Sequence, residues 1–188
     1  MIIIGLGNPG VQYKGTYHNA GYGVAEAAAK LVGKKINRAE CNSLTAVTEY
    51  KGSKLVIAKP LTYMNNSGEA VASLVAKYGK EAGEAFVCYD DIDLERFSVR
   101  IRAKGSGGTH NGMRDVVRVM KTEDIKRLRV GIGKPDYNLR DYVLDKPAKA
   151  DGKKFEEVFD ECAKLLLAYA ADGDFDKLMR EGNSLGNR

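Results

Sequence analysis

The stretch Ile2-Ile3-Ile4-Gly5-Leu6-Gly7-Asn8-Pro9-Gly10 opens the chain and decides the fold that we expect. Three consecutive isoleucines are typical of a strand covered on both faces, as in the centre of an α/β sheet. The glycines let the backbone turn sharply after this strand, and Pro9 prevents a helix from continuing through the turn. Asn8 therefore follows the carboxyl end of a central strand, where open α/β sheets bind their ligands.

Length and composition favour a single domain over residues 1–188, because a chain that is 44% hydrophobic can bury one sizeable core at this length. The sequence contains no apolar run long enough to span a membrane and no pattern typical of an export leader, so we expect neither a membrane protein nor an exported one. Its three cysteines are far apart and form no CxxC pair, which is typical of buried thiols in a reducing cytoplasm. Residue spacing in the sequence as a whole predicts no metal cluster.

Hydrophobic periodicity predicts an α/β fold with a mixed, mostly parallel sheet and helices on both faces. The sheet must be mixed because two strands flank Lys51-Gly52-Ser53 as a hairpin. We expect Ser67 to cap the helix that follows it. The predicted strands cover 2–4, 45–50, 54–59, 85–89, 97–102 and 128–132, and the predicted helices include 21–32, 71–78, 113–120 and 155–169.

Four polar stretches, 8–10, 64–66, 90–93 and 105–111, are each predicted as a loop that follows a strand. If the strands before them belong to one sheet, these loops could meet at a single cleft beside His18. An imidazole can take a proton from water near neutral pH, and a carboxylate on its other nitrogen fixes its tautomer. Because neutral amides can stabilise an oxyanion, this set could hydrolyse an ester without a protein nucleophile.

Other interpretations of these residues remain open. Gly5-x-Gly7-x-x-Gly10 matches the dinucleotide-binding fingerprint, although Pro9 lies within it and no helix begins directly after Gly10. Asp90, Asp91 and Asp93 could bind Mg²⁺ or Ca²⁺, but the glycine and terminal glutamate of an EF-hand loop are missing. A histidine can also be purely structural.

Positive charge is concentrated in residues 96–131, where ten lysines and arginines face three acids. This segment carries +7, more than the +5 of the whole chain. Arg100 and Arg102 alternate along one predicted strand, and Arg127 and Arg129 along another. If these strands are neighbours, they form a stripe that binds phosphates, so a nucleic-acid-binding module without catalysis is a further alternative.

Several motifs occur in a fixed order over residues 1–133. They are Gly5-Leu6-Gly7-Asn8-Pro9-Gly10, Tyr13, Thr16-Tyr17-His18-Asn19-x-Gly21, Lys59-Pro60-x-Thr62-Tyr63-Met64-Asn65-x-Ser67-Gly68, Asp90-Asp91-Ile92-Asp93-Leu94, His110-Asn111-Gly112 and Arg127-Leu128-Arg129-Val130-Gly131-Ile132-Gly133. Together they resemble bacterial-type peptidyl-tRNA hydrolase. The resemblance implies a monomeric α/β domain with a twisted, mixed sheet. It also implies a cytoplasmic esterase without cofactor or metal, which releases peptide from the 3' CCA acceptor end of peptidyl-tRNA after abortive translation.

The resemblance also implies roles for individual residues. His18 is similar to the general base of that family, and Asp90 to the carboxylate that orients it. The implied substrate pocket consists of Asn8, Tyr13, Met64, Asn65 and Asn111, and the implied tRNA phosphate contacts are Arg102 and Arg129.

The chain departs from the family pattern at three places. Tyr17 stands where arginine is frequent, and Thr109 replaces a glycine before His110. Residues 174–188 lack the expected Asn-rich tail.

Overall fold

The computed structural model describes residues 1–79 and 81–186. Its strands are β1 (Ile2–Gly5), β2 (Arg38–Glu40), β3 (Ser43–Tyr50), β4 (Ser53–Pro60), β5 (Ala85–Asp91), β6 (Val99–Arg102) and β7 (Lys126–Gly131). Its α-helices are α1 (Ala20–Leu31), α2 (Ser67–Tyr78), α3 (Asn111–Met120), α4 (Leu139–Leu144), α5 (Lys149–Asp172) and α6 (Phe175–Gly182). Single 3₁₀ turns cover Val11–Tyr13, Tyr17–Asn19, Met64–Asn66 and Ala82–Glu84.

The seven strands form one mixed sheet in the order β2-β3-β4-β1-β5-β7-β6. The central strands β4, β1, β5 and β7 are parallel, whereas β2, β3 and β6 join the two edges in antiparallel pairings. This confirms the expected α/β sheet and places its parallel part in the centre. One boundary differs in a way that matters for the site: Asp90 and Asp91 end β5 itself and do not lie in the loop after it.

Apolar layers cover both faces of the sheet, as the isoleucine run of β1 predicts. Ile3 belongs to the core shared with α1 and α5, and Ile2 and Ile4 belong to the core shared with α2 and α3. All three isoleucines are buried because β1 is a central strand with a helical layer on either side. Among the described residues, no helix has both the length and the apolar character needed to cross a membrane.

Gly5 at the end of β1 and Gly7 just after it allow α1 to pack closely. A Cβ atom on Gly5 would collide with the backbone carbonyl of Gly21, and one on Gly7 would collide with the ring of Tyr22. The Tyr22 amide also donates to the Leu6 carbonyl at 3.2 Å. Because a helix packs directly against this turn, close packing accounts for both glycines without a bound dinucleotide.

The predicted cap of α2 is wrong. Ser67 is the first residue of this helix, and its hydroxyl donates to the Met64 carbonyl at 2.8 Å. The Gly68 amide instead donates to Oδ2 of Asp115 in α3, also at 2.8 Å. The amino end of α2 is therefore held by a buried carboxylate from a neighbouring helix, a contact that local sequence does not reveal.

The segment that follows α5 covers the edge of the sheet. Asn183 accepts a hydrogen bond from the Ile101 amide at 2.7 Å, and the Leu185 carbonyl accepts one from Val99 at 3.4 Å. These contacts protect the outer edge of β6 from pairing with another chain. They also hold in place the strand that carries Arg102.

Candidate active site

A cleft of about 610 Å³ lies at the carboxyl end of the central strands. Each of the four polar stretches contributes to it, which confirms that they meet at one cleft. The glycines of the fourth stretch lie outside its lining. Of the expected site residues, these line the cleft: Asn8, Tyr13, His18, Met64, Asn65, Asp90 and Asn111. Arg102 and Arg129 do not line it.

His18 and Asp90 form a hydrogen-bonded pair at the base of the cleft. Nδ1 of His18 lies 3.0 Å from Oδ1 and 3.1 Å from Oδ2 of Asp90. An ionised carboxylate only accepts, so Nδ1 carries the proton of neutral His18 and Nε2 keeps a free lone pair. Within the described part of the chain, Nε2 of His18 makes no hydrogen bond. The ring is thus held on one side and open to a water molecule on the other.

Tyr17 anchors the short turn that carries His18. Its ring stacks on Tyr142 at 4.6 Å and meets Phe155 edge-on at 5.7 Å, and its amide donates to the Asp145 carbonyl at 3.0 Å. The ring is 7% exposed. Tyrosine at this position therefore fixes the backbone next to His18 by aromatic packing.

His110 also binds Asp90, a contact that sequence reasoning missed. Its Nε2 lies 3.2 Å from Oδ1 of Asp90, the oxygen nearer to His18. Its Nδ1 accepts the Met113 amide at 3.0 Å and so caps the amino end of α3. A ring nitrogen that accepts an amide proton carries none itself, so Nε2 donates to Asp90. The motif His110-Asn111 contained the signal, but only the fold places it beside Asp90.

Burial and charge act in opposite directions on this pair. Burial raises the pKa of Asp90, but the electrostatic interactions and hydrogen bonds with the imidazoles of His18 and His110 outweigh it and hold that pKa well below its usual range. Burial likewise lowers the pKa of His18, yet the carboxylate charge and hydrogen bond of Asp90 leave it above the ordinary histidine value. Asp90 therefore stays ionised, and His18 is a stronger base than a free imidazole.

Asn8 is fixed by three hydrogen bonds. Its side-chain oxygen accepts the Met64 amide at 2.8 Å. Its backbone amide donates to Asn19 at 2.8 Å, and its carbonyl accepts from the Asn19 side chain at 3.0 Å. These bonds orient the side-chain amide, whose Nδ2 has no partner among the described residues. Asn8 can thus donate a hydrogen bond into the cleft, where Asn65 and Asn111 are exposed at the rim.

The side walls of the cleft are aromatic and aliphatic. Tyr13 and Tyr63 meet edge-to-face at 6.4 Å, and Tyr63 has a positive φ of 58°. Further lining comes from α4, which sequence reasoning did not assign to the site and which contributes Leu139, Val143 and Leu144. The signal for this helix is Asn138, whose side chain accepts the amides of its first turn.

The three acids after residue 89 do not form the calcium or magnesium cluster considered above. Asp91 pairs with Arg129 and accepts the Asp93 amide, while Asp93 itself is exposed near Thr109. A different group, His18, Asp90 and His110, has its possible ligand atoms within 4.8 Å of one another. However, the proton on Nε2 of His110 points at Asp90, so this nitrogen offers no lone pair to a metal. The geometry fits a carboxylate shared by two imidazole donors.

Four arginines share one face of β6 and β7, because Arg100 lies opposite Arg129 and Arg102 opposite Arg127 in the antiparallel register. We call these residues the arginine face. Arg127 is buried and donates to the carbonyls of residues 106, 123 and 125, so it belongs to the fold and not to the predicted stripe. Arg129 is paired with Asp91. Burial and the like charges of Arg100 and Arg129 lower the pKa of exposed Arg102.

Comparison with known proteins decides the family. A family model described as peptidyl-tRNA hydrolase matches residues 2–188. The chain belongs to the peptidyl-tRNA hydrolase family. A peptidyl-tRNA hydrolase of Thermoanaerobacter is 38% identical over 92% of this chain and 94% of that relative, and one of Bacillus subtilis is 37% identical over 98% of each. The crystal structure of peptidyl-tRNA hydrolase from Acinetobacter baumannii superposes with a TM-score of 0.91 at 27% identity, over 98% of this chain and 94% of that one.

Proposed function

We propose that this member of the peptidyl-tRNA hydrolase family hydrolyses the ester that joins a peptide, or an N-blocked amino acid, to the 3' end of tRNA. The observation that carries the proposal is the His18–Asp90 pair, which leaves Nε2 of His18 free in an amide-lined cleft. The product would be tRNA freed for another round of translation. Family membership supports the substrate class.

In the proposed reaction, Nε2 of His18 removes a proton from a water molecule as the water oxygen attacks the ester carbonyl carbon. The Asn8 amide donates to the carbonyl oxygen as negative charge develops on it, aided by Asn111 at the rim. The bond to the ribose oxygen then breaks, and the imidazolium returns its proton to that oxygen. Asp90 stabilises the imidazolium between the two proton transfers.

The rest of the substrate would lie along the cleft and the arginine face. We assign the peptide to the pocket formed by Tyr13, Met64 and Asn65. We assign the phosphate groups of the acceptor end to Arg102 and Arg129, because both lie outside the cleft on one face of the sheet. We further propose that the chain acts as a monomer in the cytoplasm, which sedimentation and fractionation would test.

The test is release of labelled N-acyl amino acid from N-acyl-aminoacyl-tRNA by the purified protein. We expect release that persists in EDTA, since the proposed chemistry uses only imidazole, carboxylate and amides. Absence of release, with tRNA still bound, would instead favour a nucleic-acid-binding module without catalysis. Saturable binding of NAD(P) would revive the dinucleotide interpretation of residues 5–10.

A further inference from the structure

His110 lies where one side chain can do two separate things. Its Nδ1 accepts the Met113 amide at the start of α3, and its Nε2 donates to the carboxylate that holds His18. The ring is 8% exposed and packs against Tyr89 with a centroid distance of 4.8 Å. The helix does not need the contact between Nε2 and Asp90, since the cap uses only Nδ1.

We propose that His110 is a positioning residue for the hydrolysis, which holds the Asp90 carboxylate in the plane and orientation that keep His18 Nε2 directed into the cleft. The inference rests on the proposed function. It adds that Asp90 is oriented by α3 and not by its own strand alone. The Met113 amide sets the direction of the hydrogen bond between His110 and Asp90, because it fixes the tautomer of His110 and so makes Nε2 a donor.

The charge on Asp90 is shared between two imidazole donors. If the bond from His110 is lost, more of that negative charge acts on His18, and the pKa of His18 should rise. The other titratable or charged side chains lining the cleft are Tyr13, Tyr63, Asp91 and Arg140. Asp91 is paired with Arg129. A change at His110 should therefore reach His18 through Asp90.

Two substitutions separate the cap from the positioning contact. In His110→Asn, the amide oxygen stands near the place of Nδ1 and can accept the Met113 amide, but the side chain is too short to reach Asp90. In His110→Gln, the terminal amide nitrogen stands near the place of Nε2 and can donate to Asp90, while the helix cap is lost. His110→Asn therefore keeps the helix cap, and His110→Gln keeps the contact with Asp90.

For His110→Asn we expect a melting temperature close to that of the wild type but a kcat lower by roughly tenfold, because Asp90 and His18 lose alignment. The acid limb of the kcat/KM profile should move to higher pH. For His110→Gln we expect a lower melting temperature, a kcat above that of His110→Asn, and an acid limb nearer its original place. Asp174→Ala removes the cap of α6 outside the cleft and controls for destabilisation alone.

The wild-type rate is measured first, so a failure of the proposed function would be seen as absence of release before any variant is compared. The inference is supported if kcat and the acid limb follow the Asp90 contact and the melting temperature follows the cap. It is overturned if His110→Asn retains wild-type kcat and pH dependence. It is equally overturned if kcat in both variants simply follows their melting temperature, as in Asp174→Ala.

Discussion

The cleft and the arginine face both carry polar groups, but they differ in how firmly those groups are held. In the cleft, Asp90 accepts from two histidines and Asn8 is fixed at three polar atoms. On the arginine face, the guanidinium of Arg102 donates only to its neighbour's carbonyl among the described residues. Groups that are oriented before substrate binds can stabilise a transition state, whereas an exposed cation acts through its charge. Changes at the oriented groups of the cleft, His18, Asp90 and Asn8, should therefore alter kcat, and changes at Arg102 should alter KM.

The largest effect is expected for His18→Ala. This variant should lose most of the catalytic effect, about 10²–10⁴-fold in kcat, because general-base catalysis commonly contributes that much. Its circular dichroism spectrum and tRNA affinity should stay close to those of the wild type, since Tyr17 and not His18 anchors the turn. Near wild-type turnover would show that His18 is structural.

A smaller loss, with a change in pH dependence, is expected for Asp90→Asn. The base remains but loses its carboxylate, so kcat should fall by less than in His18→Ala, roughly ten- to a hundredfold. Activity requires neutral His18 and declines as pH falls through its pKa, which Asp90 raises. Without that charge, the acid limb of kcat/KM should move to lower pH. An unmoved limb would show that another group sets it.

The arginine face itself contains a contrast between a buried and an exposed side chain. Arg127→Ala should lower the free energy of unfolding by roughly 2–4 kcal/mol, because three backbone carbonyls lose the buried guanidinium that donates to them. Arg102→Ala on the same face should change it by less than about 0.5 kcal/mol. Urea unfolding of both variants measures the difference. Equal stabilities would mean that Arg127 is not structural.

The smallest effects concern phosphate binding. Arg102→Ala should raise KM several-fold with little change in kcat, because a contact made equally in the ground and transition states is uniform binding. The slope of log K for tRNA against log salt should decrease by up to about 0.7–0.9, or one phosphate contact. Lys153→Ala, an exposed change on α5 of the opposite helical layer, is the control. An unchanged affinity and slope would assign the phosphate contact elsewhere.

Arg129→Ala should also raise KM and reduce the salt slope, but it leaves Asp91 unpaired beside the cleft. The double variant Asp91→Asn/Arg129→Ala separates these causes. If the double variant recovers wild-type affinity, the defect comes from the Asp91 carboxylate that has lost its ion-pair partner, and Arg129 does not bind phosphate. If the defect remains, the phosphate contact is supported.

The local sequence pattern was sufficient to predict the type of secondary structure and which side chains of a strand share a face. The isoleucine run predicted a central strand, and alternation predicted that Arg100 and Arg102 share a face. Which residues touch across the fold could not be predicted in this way. Arg127 and Arg129 have the same spacing, yet only Arg127 is covered by the loop that contains Ser106. The cap of α2 by Asp115 depends likewise on how two helices pack.

The candidate site likewise combines features that the sequence predicted with contacts that only the tertiary structure reveals. Motifs drew attention to His18 and Asp90, but three aspartates lie at or just after the end of β5, and spacing alone does not choose among them. The register of β5 with β7 pairs Tyr89 with Arg129 and brings Asp91 to that arginine, while Asp90 faces the two histidines. His110 is remote in sequence from both His18 and Asp90. The shared carboxylate is therefore a product of tertiary structure.

The most direct test of the central claim, that water activated by His18 attacks the ester carbonyl, is a single turnover of N-acyl-aminoacyl-tRNA in H₂¹⁸O with mass spectrometry of all products. We predict one ¹⁸O in the carboxyl group of the released N-acyl amino acid, none in the tRNA, and no acylated protein at any quench time. An acylated protein intermediate, or ¹⁸O in the ribose of the tRNA, would contradict the account.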